Sequence, residues 1–396
     1  MMTNRIPKGW QIAKLKDYCE VFSGQGAPQG DGEYCRDGIP FIKAGNLEDL
    51  CRGLLENKIQ KVCQDVAERY KLKLFPADTI VFAKSGMSCT KNRIYRLRGA
   101  CYVVNHLACI VPEGIDAQYL TYYLKNNPPS HLIKDAAYPS IRLTDIQELE
   151  INVPPLETQK KVASILEKAE KAIEKRKKAD ELADKYLQSV FIDMFGDPVT
   201  NPKGWEIKSL GCICSKITDG THKTPKYENI GVRFISAKDI KNGKIDWSNT
   251  KYININEHQT LIKRCNPENG DILFTKSGSI GAAAIVDKDF EFSLFESLAL
   301  IKYDRKFIDG KYLLHFLNNP SIRSKYVAST KGISIKHLHL IDIKQLSIIV
   351  PPIEQQQIFV RFVQKIEKLK EKQEKSSQEL DSLFKSLMQK AFLGEL

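Results

Sequence analysis

The stretch Val-Pro-Pro-Leu-Glu-Thr-Gln, residues 153–159, is followed by a long run of charged residues. Both features return in the second half of the chain, where Val-Pro-Pro-Ile-Glu-Gln-Gln occupies residues 350–356. Proline lacks a backbone donor and biases the preceding residue towards extended geometry, so each Pro-Pro pair predicts the end of an extended segment. The charged run behind each pair predicts a helix of roughly 35 residues, which is typical of a coiled coil or a helical spacer.

Other short motifs recur in the same order, while the residues between them differ. The recurring pairs are Lys8-Gly9-Trp10 with Lys203-Gly204-Trp205, the run ending Lys84-Ser85-Gly86 with the run ending Lys276-Ser277-Gly278, and Ser140-Ile141-Arg142 with Ser334-Ile335-Lys336. Such ordered self-similarity indicates a tandem repeat. We interpret the chain as two copies of one fold that have acquired different surfaces.

Each copy is predicted to be strand-rich before it reaches its long helix. Short β-branched and aromatic runs are separated by Gly, Asn and Asp, a pattern that predicts strands and turns. A short helix and a return strand follow. The predicted fold class is therefore α+β, and the boundaries listed next follow from the repeat. They are a first domain at 1–152, a first long helix at 153–197, a second domain at 198–349 and a second long helix at 350–396.

Apolar residues in the second long helix are spaced alternately by three and four positions, as in a left-handed coiled coil. The predicted seam is Phe359, Phe362, Ile366, Leu369, Gln373, Ser376, Leu380, Leu383 and Leu387. The first helix has a looser version, and both seams turn polar in the middle. In an antiparallel pair the polar centres would meet and fix the register; a solvated, weakly packed middle is the alternative.

The bulk properties narrow the class of protein. The chain has 396 residues, 42% of them hydrophobic and 27% charged, and a net charge of +12. These values are ordinary for a globular protein with two or three domains, and the positive charge favours a nucleic-acid partner. No apolar run is long enough to span a bilayer and the start does not resemble a signal peptide, so we expect a cytoplasmic protein. The ten cysteines are scattered without a Cys-x-x-Cys, which predicts reduced thiols.

The ordered set of repeated motifs resembles the specificity subunit of type I restriction-modification enzymes over essentially the whole chain. The motifs that carry the resemblance are the Lys-Gly-Trp starts, the Lys-Ser-Gly runs and the two Val-Pro-Pro helix entrances. The resemblance implies two target-recognition domains, each reading one half of a split, asymmetric sequence in double-stranded DNA. The long helices would pack antiparallel as a spacer. Two modification subunits would methylate adenine N6 with S-adenosylmethionine, and two restriction subunits could add translocation and cleavage. The specificity subunit itself would hold no catalytic site, cofactor or metal.

Several polar positions are candidate DNA contacts. A Lys-Ser-Gly turn offers a cation, a hydroxyl and backbone amides, which suit a phosphate; a solvated turn without a ligand is the alternative. The Gly-rich stretches near residues 24 and 220 differ between the copies, as base-reading loops should; surface loops without a function are the alternative. Arg142 and Lys336 would bind phosphate or contact a modification subunit. The candidates are Lys43, Asn46, Lys84, Ser85, Gly86, Ser88, Lys91, Arg142, Thr221, His222, Lys223, Lys238, Lys276, Ser277, Gly278, Ser279 and Lys336.

Three other functions are less consistent with the sequence: a stand-alone DNA methyltransferase, a stand-alone nuclease and a structural coiled-coil scaffold. Asn127-Pro128-Pro129-Ser130 has a serine where the methyltransferase signature needs an aromatic residue. His337 and His339 form part of what we align as a three-residue insertion, with no further metal ligands nearby in the sequence. No Walker loop is present. A scaffold would not need two divergent strand-rich domains. The sequence therefore favours a non-catalytic DNA-recognition subunit.

Overall fold

A computed structural model describes residues 7–329 and 337–396, and the chain divides into two compact units. The first unit joins the chain up to Arg176 with Lys375–Leu396, and the second unit is Lys177–Glu374. Each unit thus contains one strand-rich domain together with one half of each long helix. Among the described residues, no helix is long and apolar enough to cross a membrane.

The first unit is built mainly from short strands. Its strands are β1 (Gln11–Lys14), β2 (Cys19–Ser23), β3 (Ile39–Ile42), β4 (Lys61–Val62), β5 (Ile80–Ala83), β6 (Ile94–Arg96), β7 (Tyr102–Val103), β8 (Leu107–Pro112) and β9 (Glu150–Val153). Its helices are α1 (Leu47–Cys51), α2 (Gln64–Arg69), α3 (Ala117–Asn126), α4 (Leu143–Gln147) and the start of α5 (Leu156–Phe195).

These strands form three sheets. The largest has the order β2-β8-β5-β6, and its central strands β5 and β8 are buried because they carry apolar residues on both faces. A smaller sheet has the order β4-β3-β7, with β3 parallel to β7. Strand β1 pairs antiparallel with β9, so the first strand of the domain lies beside the strand that leads into the proline pair.

The second unit repeats this plan. Its strands are β10 (Ile207–Ser209), β11 (Cys214–Asp219), β12 (Tyr227–Glu228), β13 (Val232–Ile235), β14 (Ile240–Lys241), β15 (Lys244–Ile245), β16 (Lys251–Ile253), β17 (Ile272–Thr275), β18 (Ala283–Ile285), β19 (Phe292–Leu294), β20 (Leu298–Tyr303) and β21 (Ser347–Ile349). Its helices are α6 (Ile255–Ile262), α7 (Gly310–Leu317), α8 (Pro320–Ser329), α9 (Leu340–Lys344) and the start of α10 (Ile353–Leu393).

The sheet orders of the second unit match those of the first. They are β11-β20-β17-β18, then β12-β16-β13-β19 with β13 parallel to β19, and the pair β10-β21. Strand β12 and the hairpin β14-β15 are additions with no counterpart among the strands of the first unit. The duplicated sheets confirm the predicted α+β fold with two strand-rich copies.

The long helices pack antiparallel in both units. In the first unit the start of α5 shares a core with the end of α10, through residues such as Leu166 and Phe392. In the second unit the end of α5 meets the start of α10, where the rings of Phe191 and Phe359 lie 5.5 Å apart. This confirms the predicted antiparallel coiled coil.

The predicted seam of α10 is wrong in part. Phe362, Leu369 and Leu383 are between 37% and 51% exposed, whereas Val363 is 1% exposed and lies in the core. A spacing of four and three residues also runs through Phe359, Val363 and Ile366, and these residues share one core with the end of α5. Gln373, from the predicted polar centre, is buried. The meeting of the two polar centres stays a prediction.

The glutamine of each proline-pair motif explains why the motif is repeated. Gln159 is buried and donates from Nε2 to the carbonyl of Pro154, while its Oε1 accepts from the backbone N–H of Asp116. Gln356 makes the same pair of bonds to Pro351 and Asp309. Asp116 and Asp309 are the N-caps of α3 and α7. One side chain therefore fixes the entrance of each long helix to the start of a neighbouring helix.

The expectation that every cysteine is reduced is wrong for Cys35 and Cys63, which form a disulfide in the structure. The backbone N–H of Cys35 donates to the carbonyl of Lys61, so the pairing of these two segments brings the cysteines together. Elsewhere, burial raises the pKa of the Cys19 and Cys265 thiols to about 12, which keeps both protonated.

Candidate nucleic-acid interface

Loops from several strand ends of the first domain meet at one place, which we call the first loop cluster. It consists of residues 24–26, 43–46, 84–91, 104–106 and 138–142. Its centre is the segment between β7 and β8: the N–H of Val104 donates to the carbonyl of Ile42, and the N–H of Asn105 to that of Gln25, at 2.9 and 2.8 Å. The carbonyl of His106 accepts from the N–H of Lys84 at 2.9 Å.

The return segment closes the first loop cluster. The N–H of Gly86 donates to the carbonyl of Pro139 at 2.9 Å, and the N–H of Ile141 donates to the carbonyl of Lys84 at 2.8 Å. Gly86 has a φ of 72°, a conformation that suits glycine. The Lys-Ser-Gly turn is therefore held between the central segment and the return segment.

The second domain contains an equivalent second loop cluster, formed by residues 220–226, 236–239, 276–280, 295–297 and 337–339. Its central segment makes the same bonds: Phe295 N–H to Ile235, and Glu296 N–H to Thr221, at 2.9 and 3.0 Å. The carbonyl of Ser297 accepts from the N–H of Lys276 at 2.8 Å. The two clusters share a backbone pattern but carry different side chains.

A glycine is required at the same point of both clusters. A Cβ on Gly24 would lie 2.2 Å from the carbonyl oxygen of Val103, and one on Gly220 would lie 2.0 Å from that of Leu294. No side chain fits there. These glycines therefore allow the close approach of two chain segments, and the residues after them differ between the domains.

The first-domain candidates lie in the first loop cluster. Lys84 is partly exposed, and Gly86 and Lys91 are exposed. The Oγ of Ser85 lies 2.9 Å from Nδ1 of His106. Ser88 is partly buried in the turn that follows. The cluster therefore gathers the Lys-Ser-Gly residues with a histidine from the central segment.

The candidates after β3 and at α4 have different surroundings. The ammonium of Lys43 donates to Oε1 of Gln60 and lies 4.4 Å from the ring centre of Tyr34. Asn46 accepts from the N–H of Lys43 through Oδ1, so its side chain closes a turn. Arg142 is exposed and directly precedes α4. Contact of these residues with DNA stays a prediction.

Lys276 does not occupy the position expected of a phosphate ligand. Its side chain is 3% exposed and pairs with the carboxylate of Asp219, which is 5% exposed. Arg264 and His222 also contact this carboxylate. The prediction is therefore wrong for the Lys276 side chain: a buried ammonium needs a buried counter-charge, and Asp219 supplies it. In the first domain Ser23 stands at the end of the equivalent strand.

The remaining second-domain candidates lie on the surface of the second loop cluster. Lys223, Lys238, Gly278 and Ser279 are exposed, and Ser277 is partly exposed. Thr221 accepts from the N–H of Lys223 through Oγ1 at 3.2 Å, so it shapes its own loop.

The structure corrects the alignment of the return segments. The N–H of Leu338 donates to the carbonyl of Lys276, as Ile141 does to Lys84. His339 precedes α9 as Arg142 precedes α4. The counterpart of residues 140–142 is therefore 337–339, not 334–336, and His337-Leu338-His339 is not an insertion. The predicted contact at Lys336 lies outside the described residues.

Sequence reasoning missed the central segments of both clusters. Asn105 and His106 are exposed, and Glu296 is partly exposed. The available signal was position: both segments directly precede the buried strands β8 and β20. This position did not identify the segments as a repeat, because the two segments share no residue type.

Comparisons with known proteins identify the protein family to which the chain belongs. The model of the type I restriction modification DNA specificity domain matches residues 7–183 and again residues 202–381. Since the two matches cover most of the chain, the protein belongs to this family and carries two copies of its domain.

The similarity to individual known proteins extends over the full length of the chain. The MjaIX specificity subunit of Methanocaldococcus jannaschii, a type I restriction enzyme subunit, is 26% identical over 99% of this chain and 94% of its own length. The EcoKI specificity subunit of Escherichia coli strain K12 is 22% identical over 100% and 91%. The crystal structure of a type I S subunit from M. genitalium has the same fold, with a TM-score of 0.58, 14% identity, and coverage of 99% and 98%.

Proposed function

We propose that this chain is the DNA-recognition subunit of a type I restriction-modification complex. Each strand-rich domain reads one half of a split, asymmetric sequence in double-stranded DNA. The observation that carries the proposal is the pair of loop clusters, which have one backbone hydrogen-bond pattern and different side chains. Two surfaces on one framework suit two different half-sites.

The charge of the clusters supports binding to a duplex. Exposed basic side chains, Lys91 and Arg142 in the first cluster and Lys223 and Lys238 in the second, are suited to phosphates. Phosphate contacts set the position of a protein on DNA, while base contacts select the sequence. The chain as a whole has a net charge of +12, which adds a general attraction to DNA.

The long helices supply a spacer. Helix α5 has 40 residues and α10 has 41, so each is about 60 Å long at 1.5 Å per residue. Modules that read two half-sites sit one helical turn of DNA apart, roughly 34–36 Å, or multiples of it. Helices of this length are adequate to set that distance.

In this proposal, partner subunits carry out the methylation and cleavage of the DNA. Two modification subunits dock on the chain and methylate adenine N6, and two restriction subunits can join them, all in the cytoplasm. The chain itself is not a catalyst and carries no cofactor. The full-length relatives named specificity subunits favour this function over a stand-alone methyltransferase, a nuclease or a scaffold.

Co-expression with cognate modification subunits, followed by base-resolution mapping of methylated adenine, tests the proposal. We expect a bipartite motif with two defined halves and an unread spacer. The control is each partner expressed alone, which should leave the DNA unmodified. Methyl transfer or cleavage by the purified chain alone would contradict the proposal, as would a single continuous motif.

A further inference from the structure

The central segments of the two loop clusters provide rigid support for one outward side chain each. Both backbone groups of Asn105 are engaged: its N–H donates to Gln25, and its carbonyl accepts from Oγ of Ser23 at 3.0 Å. Its neighbours Val104 and His106 are bonded to two further loops. The amide side chain of Asn105 is exposed and makes no hydrogen bond within residues 7–329 and 337–396.

Glu296 stands at the equivalent position of the second cluster. Its N–H donates to Thr221, as that of Asn105 does to Gln25. Its carboxylate is 26% exposed and lies 3.9 Å from Nε2 of His337. Burial lowers the pKa of His337 and the nearby Lys276 lowers it further, which outweighs the opposite effect of Glu296, so this histidine is neutral at pH 7 and forms no charged pair with the carboxylate.

A carboxylate at the centre of a DNA-facing loop cluster is unfavourable beside phosphates, because the charges repel. It is favourable beside a base that offers an amino group, since a carboxylate only accepts hydrogen bonds. In the major groove, Glu accepts from N4 of cytosine, and Asn bonds N6 and N7 of adenine together. The same backbone position therefore carries two side chains with different base preferences.

We propose that Asn105 and Glu296 are equivalent base-reading residues, Asn105 taking an adenine in one half-site and Glu296 a cytosine in the other. The inference rests on the proposed function and adds the residue and the base class to it. Each residue contributes to one position of one half-site. The neighbouring lysines and arginine bind phosphates and carry no sequence preference.

Isosteric variants of the full chain, co-expressed with the modification subunits, test the proposal by methylation mapping. Asn105→Asp removes the amide donor, and Glu296→Gln adds one. We expect Asn105→Asp to relax one adenine position in one half only. We expect Glu296→Gln to lose a cytosine preference in the other half only, with adenine accepted there. A good bidentate pair, such as that of Asn105 with adenine, contributes about 1–3 kcal/mol of discrimination, which corresponds to a roughly 5- to 150-fold loss of preference.

Asp304→Asn is the matched control. Like Glu296→Gln it removes one negative charge, but at the far end of β20, the strand that begins two residues after Glu296, and its Oδ1 can still accept from the N–H of Lys306. This variant should retain the wild-type motif. Unchanged base preferences in both Asn105→Asp and Glu296→Gln would overturn the inference.

Two further outcomes are distinguishable. A wild-type chain that yields no bipartite motif contradicts the proposed function itself. If a folded variant methylates nothing, its binding to duplexes varied at each position of that half is compared instead. Weakening that is equal for all four bases would show a phosphate contact and overturn the inference, whereas loss of preference at one position supports it.

Discussion

Gln356 provides a sharp test of how each long helix is attached to its domain. The side chain is buried at the start of α10, where Oε1 accepts from the N–H of Asp309 at 2.8 Å. Nε2 donates to the carbonyls of Pro351 and Phe307 at 2.7 and 3.1 Å. Replacement by leucine keeps a side chain of similar size and removes all three bonds.

The expected cost follows from the groups left without a partner. A buried polar group that loses its hydrogen bond costs about 1–3 kcal/mol. Phe307 lies at an exposed position, so we assign no cost to its carbonyl. The N–H of Asp309 and the carbonyl of Pro351 are left without a hydrogen-bond partner in the variant. Together these two groups lower the free energy of unfolding of the second unit by roughly 2–6 kcal/mol. For a unit of this size, that lowers Tm by roughly 5–20 °C.

Differential scanning calorimetry of the full chain measures the effect. The matched control is Gln355→Leu, which makes the same change at the exposed neighbouring position and should shift stability by no more than about 0.5 kcal/mol. Gln159→Leu should act on the first unit in the same way as Gln356→Leu acts on the second. Equal melting temperatures for Gln356→Leu and Gln355→Leu would refute the assigned role of the glutamine.

Three further predictions concern charge, length and pH. Lys276→Met should lower the free energy of unfolding by roughly 3 kcal/mol because it removes the buried ammonium that faces the buried carboxylate of Asp219 and leaves the more exposed Arg264 and His222 as its partners. Lys84→Met should instead weaken DNA binding with little loss of stability. Unfolding and DNA titration of both variants test this contrast, and equal losses of stability would contradict it. Seven residues inserted into the middle of both long helices add about 10 Å, so the mapped spacer should lengthen by about three base pairs, and an unchanged spacer would show that the helices do not set it. Burial lowers the pKa of His315 to about 4. As the pH falls, the unfolded chain therefore binds this proton before the folded chain does, so the free energy of unfolding should be highest above about pH 6.5 and fall by up to about 3 kcal/mol towards pH 4. His315→Leu should reduce this pH dependence, and calorimetry across the range measures it.

Features encoded locally were predictable from the sequence. The short helix predicted after the strands of the first copy is α3 (Ala117–Asn126), and its polar N-cap and buried face lie within one stretch of chain. The two long helices were predictable because the proline pairs, the charged runs and the spacing of apolar residues are also local signals. Antiparallel packing followed from the family resemblance.

Features that depend on distant residues were not predictable. Phe362 and Val363 are adjacent apolar residues, and only the packing against α5 shows which one faces the core. Lys276 follows the same strand type as Lys84, but its burial depends on Asp219, which lies on a strand far away in sequence. The central segments lacked a recognisable motif, so their place in the clusters emerged only from backbone hydrogen bonds.

The central claim is that one domain reads one half-site, and replacing the first domain by a copy of the second tests it most directly. In this variant residues 202–349 stand in place of residues 7–152, while both long helices are kept. Methylated adenine is then mapped after co-expression with the modification subunits. We predict a motif in which both halves carry the bases formerly read by the second domain, with the spacer unchanged. A motif that keeps the original first half would contradict the account.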